Sequence, residues 1–366
     1  MRISAAIARS IEAPFSIEVC DLAEPQAGEI LVKVHSCGVC HTDIAVKRQD
    51  IPLSFPRVLG HEGAGVVEKI GAEVTKFSVG DHVLMTFGSC GGCENCHQGH
   101  PAYCDQFREI NFMGHRSAGS AIRCDDVEMG GNFFAQSSFA THALVTERNI
   151  VKVDKDLPLE LLAPLGCGIQ TGIGTVLTCL KPFPGSSIAV FGAGAVGLAA
   201  IMGAKIVGCS TIIAVDIKKG RLCTAQRVGA THVIDGSAPD VLEQLIKLTD
   251  KGVHYSMDTT GVPAVVRNAI ACLRKRGVMA HVAATRPGTR YDLDPSVALS
   301  MGIKIMGVIE GDAVPWSLLP RMINFYRNGT LPLEKLVTTF PFVDINKAIE
   351  AMENGAVVKP VLLMPA

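Results

Sequence analysis

Side chains able to do chemistry concentrate in Gly38-Val39-Cys40-His41-Thr42-Asp43, where a thiol, an imidazole, a hydroxyl and a carboxylate fill four consecutive positions. Two later stretches, Gly60-His61-Glu62-Gly63 and Pro164-Leu165-Gly166-Cys167-Gly168, supply what a lone Cys40 lacks. A catalytic zinc takes three protein ligands and keeps a fourth position open, and two cysteines with one histidine form such a set. Cys40, His61 and Cys167 are the candidates. Taken singly, each also fits a bland role as a buried small thiol or a satisfied core histidine, and spacing alone does not bring them together. Glycines flank all three and allow tight turns around a small site.

A second cluster is Cys90-Gly91-Gly92-Cys93-Glu94-Asn95-Cys96 followed by Cys104, a C-x2-C-x2-C-x7-C spacing. Four thiolates can close around one tetrahedral ion with no open position, as structural zinc sites do. An iron–sulfur cluster is the alternative. Its bacterial signature closes with a shorter gap and a Cys-Pro, which this sequence lacks, so zinc is the favoured reading. Unligated thiols in a glycine-rich loop would also be an oxidation hazard.

The third motif is Gly192-Ala193-Gly194-Ala195-Val196-Gly197. A bare G-x-G-x-x-G is weak. Here the apolar run Ile188-Ala189-Val190-Phe191 precedes it, an apolar helical stretch follows, and Asp216 closes the next strand nineteen residues beyond Gly197. That is a dinucleotide-binding pattern: Gly192 for the turn, Gly194 for approach of the pyrophosphate, Gly197 for close helix–strand packing, and Asp216 for a ribose.

With 366 residues, two domains are expected, and 48% apolar against 19% charged residues is a globular composition. A formal net charge of −1 provides no basic field for nucleic acid or anionic lipid. The N-terminus has no signal-peptide core, so the thirteen cysteines point to metal binding in the cytoplasm rather than disulfides. Residues 182–204 carry no charge, yet they open Pro-Phe-Pro-Gly-Ser-Ser and hold the glycine array, which excludes a membrane span.

These motifs need elements to position them. Short strands at residues 3–8, 15–20, 30–35, 66–70 and 81–85, punctuated by Gly and Pro, predict a β-barrel-like first domain with the zinc candidates on its loops. Residues 114–131 read as irregular. From Ser187 onward, strands at 188–191, 211–215, 231–234, 255–258, 278–282 and 303–309 alternate with helices, a doubly wound parallel sheet. A tail with a helix near 317–328, a strand 336–340, a helix 345–353 and a strand 357–363 is expected to return to the first domain.

Taken together, Cys40, His61-Glu62, the four-cysteine lobe, Cys167 and the 192–216 fingerprint resemble the zinc-dependent medium-chain alcohol dehydrogenases over essentially the whole chain. Phe133-Phe134-Ala135-Gln136-Ser137-Ser138-Phe139-Ala140 and residues 164–172 further resemble the aryl-alcohol (benzyl alcohol) members. The resemblance implies an α/β protein. A GroES-like β-barrel catalytic domain would span 1–168 and 310–366, with a structural zinc lobe near 88–106, and a Rossmann NAD-binding domain would span 169–309.

It also implies roles. Cys40, His61 and Cys167 would hold the catalytic zinc, Asp43 would orient His61, Glu62 would stand behind the metal, and Thr42 would receive the alcohol proton. His41 and Lys359 would contact the pyrophosphate, Asp216 and Arg221 the ribose, and Val196 and Thr171 the nicotinamide. Ile51, Thr86, Phe133, Phe134 and Ile309 would wall the substrate space. Ala45 stands where many relatives carry a proton-relay histidine. The expected reaction is reversible oxidation of an aromatic primary alcohol to its aldehyde with NAD and two zinc ions per subunit. The protein is expected to be a homodimer or homotetramer joined through the strand at 303–309. Alternatives are a dehydrogenase for another bulky alcohol (geraniol or cinnamyl type), glutathione-linked formaldehyde oxidation, or a non-catalytic zinc- and NAD-binding regulator.

Overall fold

The computed structural model describes residues 1–113, 116 and 119–365. The positions at 114, 115, 117 and 118, part of the stretch expected to be irregular, lie outside the described residues. Two compact units account for the chain. One comprises Met1–Cys167, Val314–Asn324 and Val337–Ala366, and the other comprises Gly168–Ala313 and Phe325–Leu336.

The first unit begins with β1 (Arg2–Ala8), β2 (Ser16–Leu22), β3 (Glu29–Gly38), β4 (Arg57–Val58), β5 (Gly63–Ile70) and β6 (His82–Met85). It continues through β7 (Ile122–Cys124), β8 (Val127–Glu128), β9 (His142–Thr146) and β10 (Ile150–Val153). One sheet runs β4-β1-β2-β7-β8. β3 is the hub of the other sheet, pairing antiparallel with both β5 and β9. Its Ile30, Leu31, Val32 and Val34 are buried, as expected for a strand with neighbours on each side. A core of Ile3, Ile7, Phe15, Val58, Leu59, Phe87, Phe139 and Phe342 fills the unit. Fully burying each such side chain contributes about 1.5–3 kcal/mol.

The second unit contains β11 (Ser187–Phe191), β12 (Thr211–Asp216), β13 (His232–Asp235), β14 (Val253–Asp258), β15 (Leu273–His281) and β16 (Lys304–Gly307). They form one parallel sheet in the order β13-β12-β11-β14-β15-β16. β11 is central, which is why it is apolar throughout rather than alternating. The uncharged run at 182–204 resolves into a loop, β11, a turn and the helix Ala195–Ile206. Among the described residues no single helix is long and apolar enough to cross a membrane.

The tail then returns to the first unit as β17 (Val337–Pro341) and β18 (Lys359–Leu363), with β18 pairing antiparallel with the C-terminal end of β3. That pairing carries Lys359 toward Val39, the neighbour of the Cys40 cluster.

Two features were not anticipated. His41–Lys47 is a helix rather than a loop; at seven residues it is too short for helical periodicity to register. Cys20 and Cys124 form a disulfide across the β2–β7 ladder, where the cysteine count had pointed to metal and away from disulfides. The other eleven cysteines are free thiols, and the two metal-like clusters are among them.

Candidate functional site

Cys40 caps the N-terminus of the helix His41–Lys47, and Asp43 sits in its first turn. The Asp43 Oδ2 accepts the Cys40 backbone N–H at 2.9 Å, the reciprocal half of a capping box. Its Oδ1 accepts the Gly60 N–H at 3.0 Å and lies 3.0 Å from His61 Nδ1. Both Asp43 and His61 are wholly buried. This contact assigns the imidazole proton to Nδ1 and leaves the Nε2 lone pair available, the arrangement that metal-binding histidines adopt. His61 Nε2 is buried with no hydrogen-bond partner. A buried polar atom in that condition calls for an acceptor of its lone pair.

Such an acceptor has a place. One ligand atom from each of Cys40, His61, Glu62 and Cys167 lies within 4.8 Å of the others, and all four residues are buried. Hydrogen bonding with Cys167, helped by the charges of Lys359 and His61, holds the Cys40 thiol well below the usual thiol range despite its burial. Burial alone would lower His61, but Asp43 and Cys40 outweigh it and raise the imidazole well above its ordinary value, so zinc binding at Nε2 would displace a proton there. Two soft sulfurs and an aimed imidazole suit zinc. The segments that sequence alone could not bring together, around positions 40, 61 and 167, do meet.

Aromatic rings enclose the histidine. Phe134 stacks on His61 at 4.5 Å between ring centroids, and Phe133 meets it edge-on at 5.3 Å. Phe107 and Phe112 pack behind them. Such pairs contribute about 0.5–1.5 kcal/mol beyond area burial.

Phe133, Phe134 and Thr86, expected to wall the substrate space, are all buried in the structure. Phe133 and Thr86 have no exposed surface and Phe134 is 4% exposed, because the phenyl rings are packed on the histidine. The Thr86 hydroxyl donates to the Gly166 carbonyl at 2.8 Å. Ile51 is half-buried against the core of the first unit, whereas Ile309 belongs to the second unit and is 45% exposed.

Lys359, expected at the pyrophosphate, is buried and donates to both Glu62 carboxylate oxygens at 2.9 Å and to the Val39 carbonyl at 3.0 Å. Burial pushes the Glu62 carboxyl up to about 7 against the pull of Lys359, and the same carboxylate raises the lysine above its ordinary value. The doubly hydrogen-bonded geometry is that of an ion pair, an arrangement in which a buried charge is tolerated. His41 opens its helix and is exposed, while Thr42 is half-buried with its hydroxyl 3.8 Å from Cys40 Sγ. Ala45 is buried on the same helix.

The four-cysteine lobe also fits a metal. The sulfurs of Cys90, Cys93, Cys96 and Cys104 lie within 4.8 Å of one another. The Cys90–Cys96 and Cys93–Cys104 separations are 4.0 Å, against roughly 3.8 Å for the edge of a tetrahedron with zinc–sulfur bonds of about 2.3 Å. Backbone N–H groups of Gly92 and Cys93 donate to Cys90 Sγ, and that of Cys90 donates to Cys104 Sγ. All four donors are cysteine sulfurs, and among the described residues no fifth donor joins the cluster, which makes the site closed.

In the second unit the three glycines divide the work. Gly192 has φ +91°, and a Cβ there would sit 2.2 Å from Thr259 Oγ1. A Cβ on Gly197 would sit 1.8 Å from the Gly192 carbonyl oxygen, so only glycine lets the helix Ala195–Ile206 approach. A Cβ on Gly194 would meet nothing within 4 Å, which is the open cradle that a pyrophosphate requires. Asp216 ends β12, accepting the Ala193 and Lys218 N–H groups at 2.7 and 2.8 Å, with Arg221 3.9 Å away. Val196 is half-buried, and Thr171 is buried in the helix Gly168–Gly174.

A curled β unit carrying a buried Cys-Cys-His set and a four-thiol lobe, with a parallel dinucleotide-binding sheet, defines a class of zinc oxidoreductase. Residues 26–155 match the family described as alcohol dehydrogenase GroES-like domain, and residues 195–328 that described as zinc-binding dehydrogenase. A geraniol dehydrogenase from Castellaniella defragrans is 41% identical over 98% of this chain and 97% of its own length. The crystal structure of a benzyl alcohol dehydrogenase from Acinetobacter calcoaceticus superposes with a TM-score of 0.96 at 43% identity, covering both chains fully. An alcohol dehydrogenase zinc-binding domain protein from Burkholderia ambifaria superposes at 0.97 with 46% identity, again over both whole chains. The chain belongs to the zinc-dependent medium-chain alcohol dehydrogenase family, whose members use zinc and NAD(P).

The geometry of Lys359 yields a direct test. Lys359→Met leaves the Glu62 charge buried and unpaired and should cost about 3–5 kcal/mol of stability, read by denaturant unfolding. Pairing it with Glu62→Gln should recover a substantial part. A Lys359→Met protein of wild-type stability with weakened NAD binding would return Lys359 to the pyrophosphate.

Proposed function

We propose that the protein oxidises primary alcohols whose carbinol carbon adjoins a π system, benzyl alcohol foremost, to the aldehyde with NAD+. The observation that carries the dehydrogenase reading is the buried Cys40–His61–Cys167 set with its unpartnered His61 Nε2. The substrate class rests on full-length likeness to both a benzyl alcohol and a geraniol dehydrogenase. Benzylic and allylic carbinols share one property: loss of hydride develops positive charge beside a π system and yields a conjugated aldehyde. Geraniol-type alcohols are therefore the second reading.

In this mechanism Cys40, His61 and Cys167 hold the zinc, and Asp43 keeps His61 oriented and protonated on Nδ1. When bound, zinc supplies Lewis acidity and NAD supplies the hydride acceptor. Thr42, beside Cys40, receives the alcohol proton at its hydroxyl. Ala45 provides no imidazole further along the helix, so onward transfer relies on water. The glycine turn at 192–197 binds the pyrophosphate. Asp216 accepts hydrogen bonds from the ribose hydroxyls, and its charge opposes a 2′-phosphate, which favours NAD over NADP. β16, the last strand in the sheet order, would pair with that of a second copy.

Three measurements follow. Benzyl alcohol and geraniol should each exceed ethanol, and glutathione with formaldehyde, by at least about tenfold in kcat/KM, with NAD+ preferred to NADP+; ethanol matching benzyl alcohol would remove the substrate proposal. Thr42→Ala should lower kcat by about 10²–10⁴-fold, while Thr42→Ser stays near wild type, and full activity in Thr42→Ala would displace the proton role. Light scattering at micromolar concentration should report a multiple of the 38.7 kDa subunit, and a monomeric mass would contradict pairing through β16.

A further inference from the structure

Gln136 was singled out by sequence only as part of an aryl-alcohol-like string, and nothing assigned it a task. In the structure its side chain is 2% exposed. Its amide makes four hydrogen bonds. Oε1 accepts the Gly63 N–H at 3.0 Å and the Ser138 hydroxyl at 2.9 Å, and Nε2 donates to the His61 carbonyl at 3.0 Å and the Thr86 carbonyl at 3.3 Å. A glutamine amide has two donor hydrogens and two acceptor lone pairs, so its capacity is fully used.

The partners define what it does. His61 and Gly63 flank Glu62, so one amide pins the backbone on both sides of that acid. Gly63 permits this approach, since a Cβ there would lie 3.0 Å from Gln136 Oε1, 2.7 Å from Ser138 Cβ and 2.9 Å from Met85 Sδ. The second donor hydrogen reaches Thr86, whose hydroxyl donates to the Gly166 carbonyl at 2.8 Å. Gly166 precedes Cys167. A continuous path therefore runs from His61 through Gln136 and Thr86 to the peptide that carries Cys167.

The backbone around Gln136 is held in an unfavourable conformation to achieve this. Asn132, Phe134, Ala135 and Ser137 all have φ between +51° and +59°, the left-handed region that non-glycine residues rarely occupy. Such conformations persist where surrounding contacts over-determine them. Here the contacts are the Gln136 amide, the Phe134 ring on His61, the Asn149 side-chain amide on the Ala135 carbonyl at 3.0 Å, and the Ser137 hydroxyl on the Val58 carbonyl at 2.8 Å.

We propose that Gln136 and Thr86 are positioning residues, a hydrogen-bonded bridge that fixes His61 relative to Cys167 and sets how tightly the site retains its metal. The proposal rests on the reading of Cys40, His61 and Cys167 as a zinc site. Asp43 joins Cys40 to His61; the bridge joins His61 to Cys167. The three ligands are thereby linked in sequence without any contact made by the metal itself.

The test uses the full-length zinc-loaded protein, challenged with a chromogenic zinc chelator while release of each zinc is followed and total zinc is measured by elemental analysis. Thr86→Val removes the hydroxyl with little change in shape, Thr86→Ser keeps it, and Gln136→Met removes the amide at similar length. Thr86→Val and Gln136→Met should bind one of two zincs about 10–100-fold more weakly, the four-cysteine zinc should be retained as in wild type, and Thr86→Ser should behave as wild type. Should Gln136→Met fail to fold, the Val/Ser pair at Thr86 decides. Unchanged retention in Thr86→Val, parallel loss of both zincs, or failure of Thr86→Ser to restore retention would each overturn the bridge. A wild type holding only the four-cysteine zinc would instead overturn the site reading itself, and the bridge with it.

Discussion

The site depends first on one buried carboxylate. Asp43 accepts from the Cys40 N–H, the Gly60 N–H and His61, and so joins the start of a helix, a turn and an imidazole that are distant along the chain. A carboxylate removed from water must be matched by donors, and here each donor belongs to a segment bearing or adjoining a metal-type ligand. Desolvation cost is thereby converted into geometry: any displacement of His61 or of the Cys40 peptide leaves a buried charge short of a partner.

The Glu62–Lys359 pair repeats this logic on the other side of the histidine. β18 must pair with the end of β3 for Lys359 to reach the Val39 carbonyl and both Glu62 oxygens. The C-terminal segment is thus part of the catalytic unit rather than an appendage to the dinucleotide-binding one. Rings complete the enclosure. Phe133 and Phe134 exclude water from the faces of His61, and in that low-dielectric setting each hydrogen bond to Asp43 and each charge near Cys40 acts more strongly.

The second unit achieves its purpose with less. Its sheet is parallel, and its binding turn is defined by what glycine omits. Gly197 is required because the Gly192 carbonyl stands where a Cβ would be, and Gly194 because the space before it must stay open. Two free thiols outside the clusters, Cys37 and Cys272, are pushed up in pKa by burial and behave as small core residues.

The linear sequence determined the metal donors, the glycine turn and the alternation of strands and helices, because each is written in residue type at short spacing. Four thiols in a C-x2-C-x2-C-x7-C array, or a strand, three glycines, a helix and an acid, leave few other physical solutions. The tertiary structure decided what residue type cannot carry. Lys359 looks like any cation until β18 places it beside Glu62, 297 positions away in sequence. Phe133 and Phe134 look like any apolar surface until the backbone at 132–137 packs them on His61. Cys20 and Cys124 become a disulfide only because β2 and β7 align them across 104 positions. The helix His41–Lys47 is too short to announce itself by periodicity and forms where its first turn is fixed by Asp43. For Lys359 and for the disulfide the deciding term is a long-range pairing, a buried charge needing its counter-charge or a strand needing its neighbour, and such terms exist only once the chain has closed on itself.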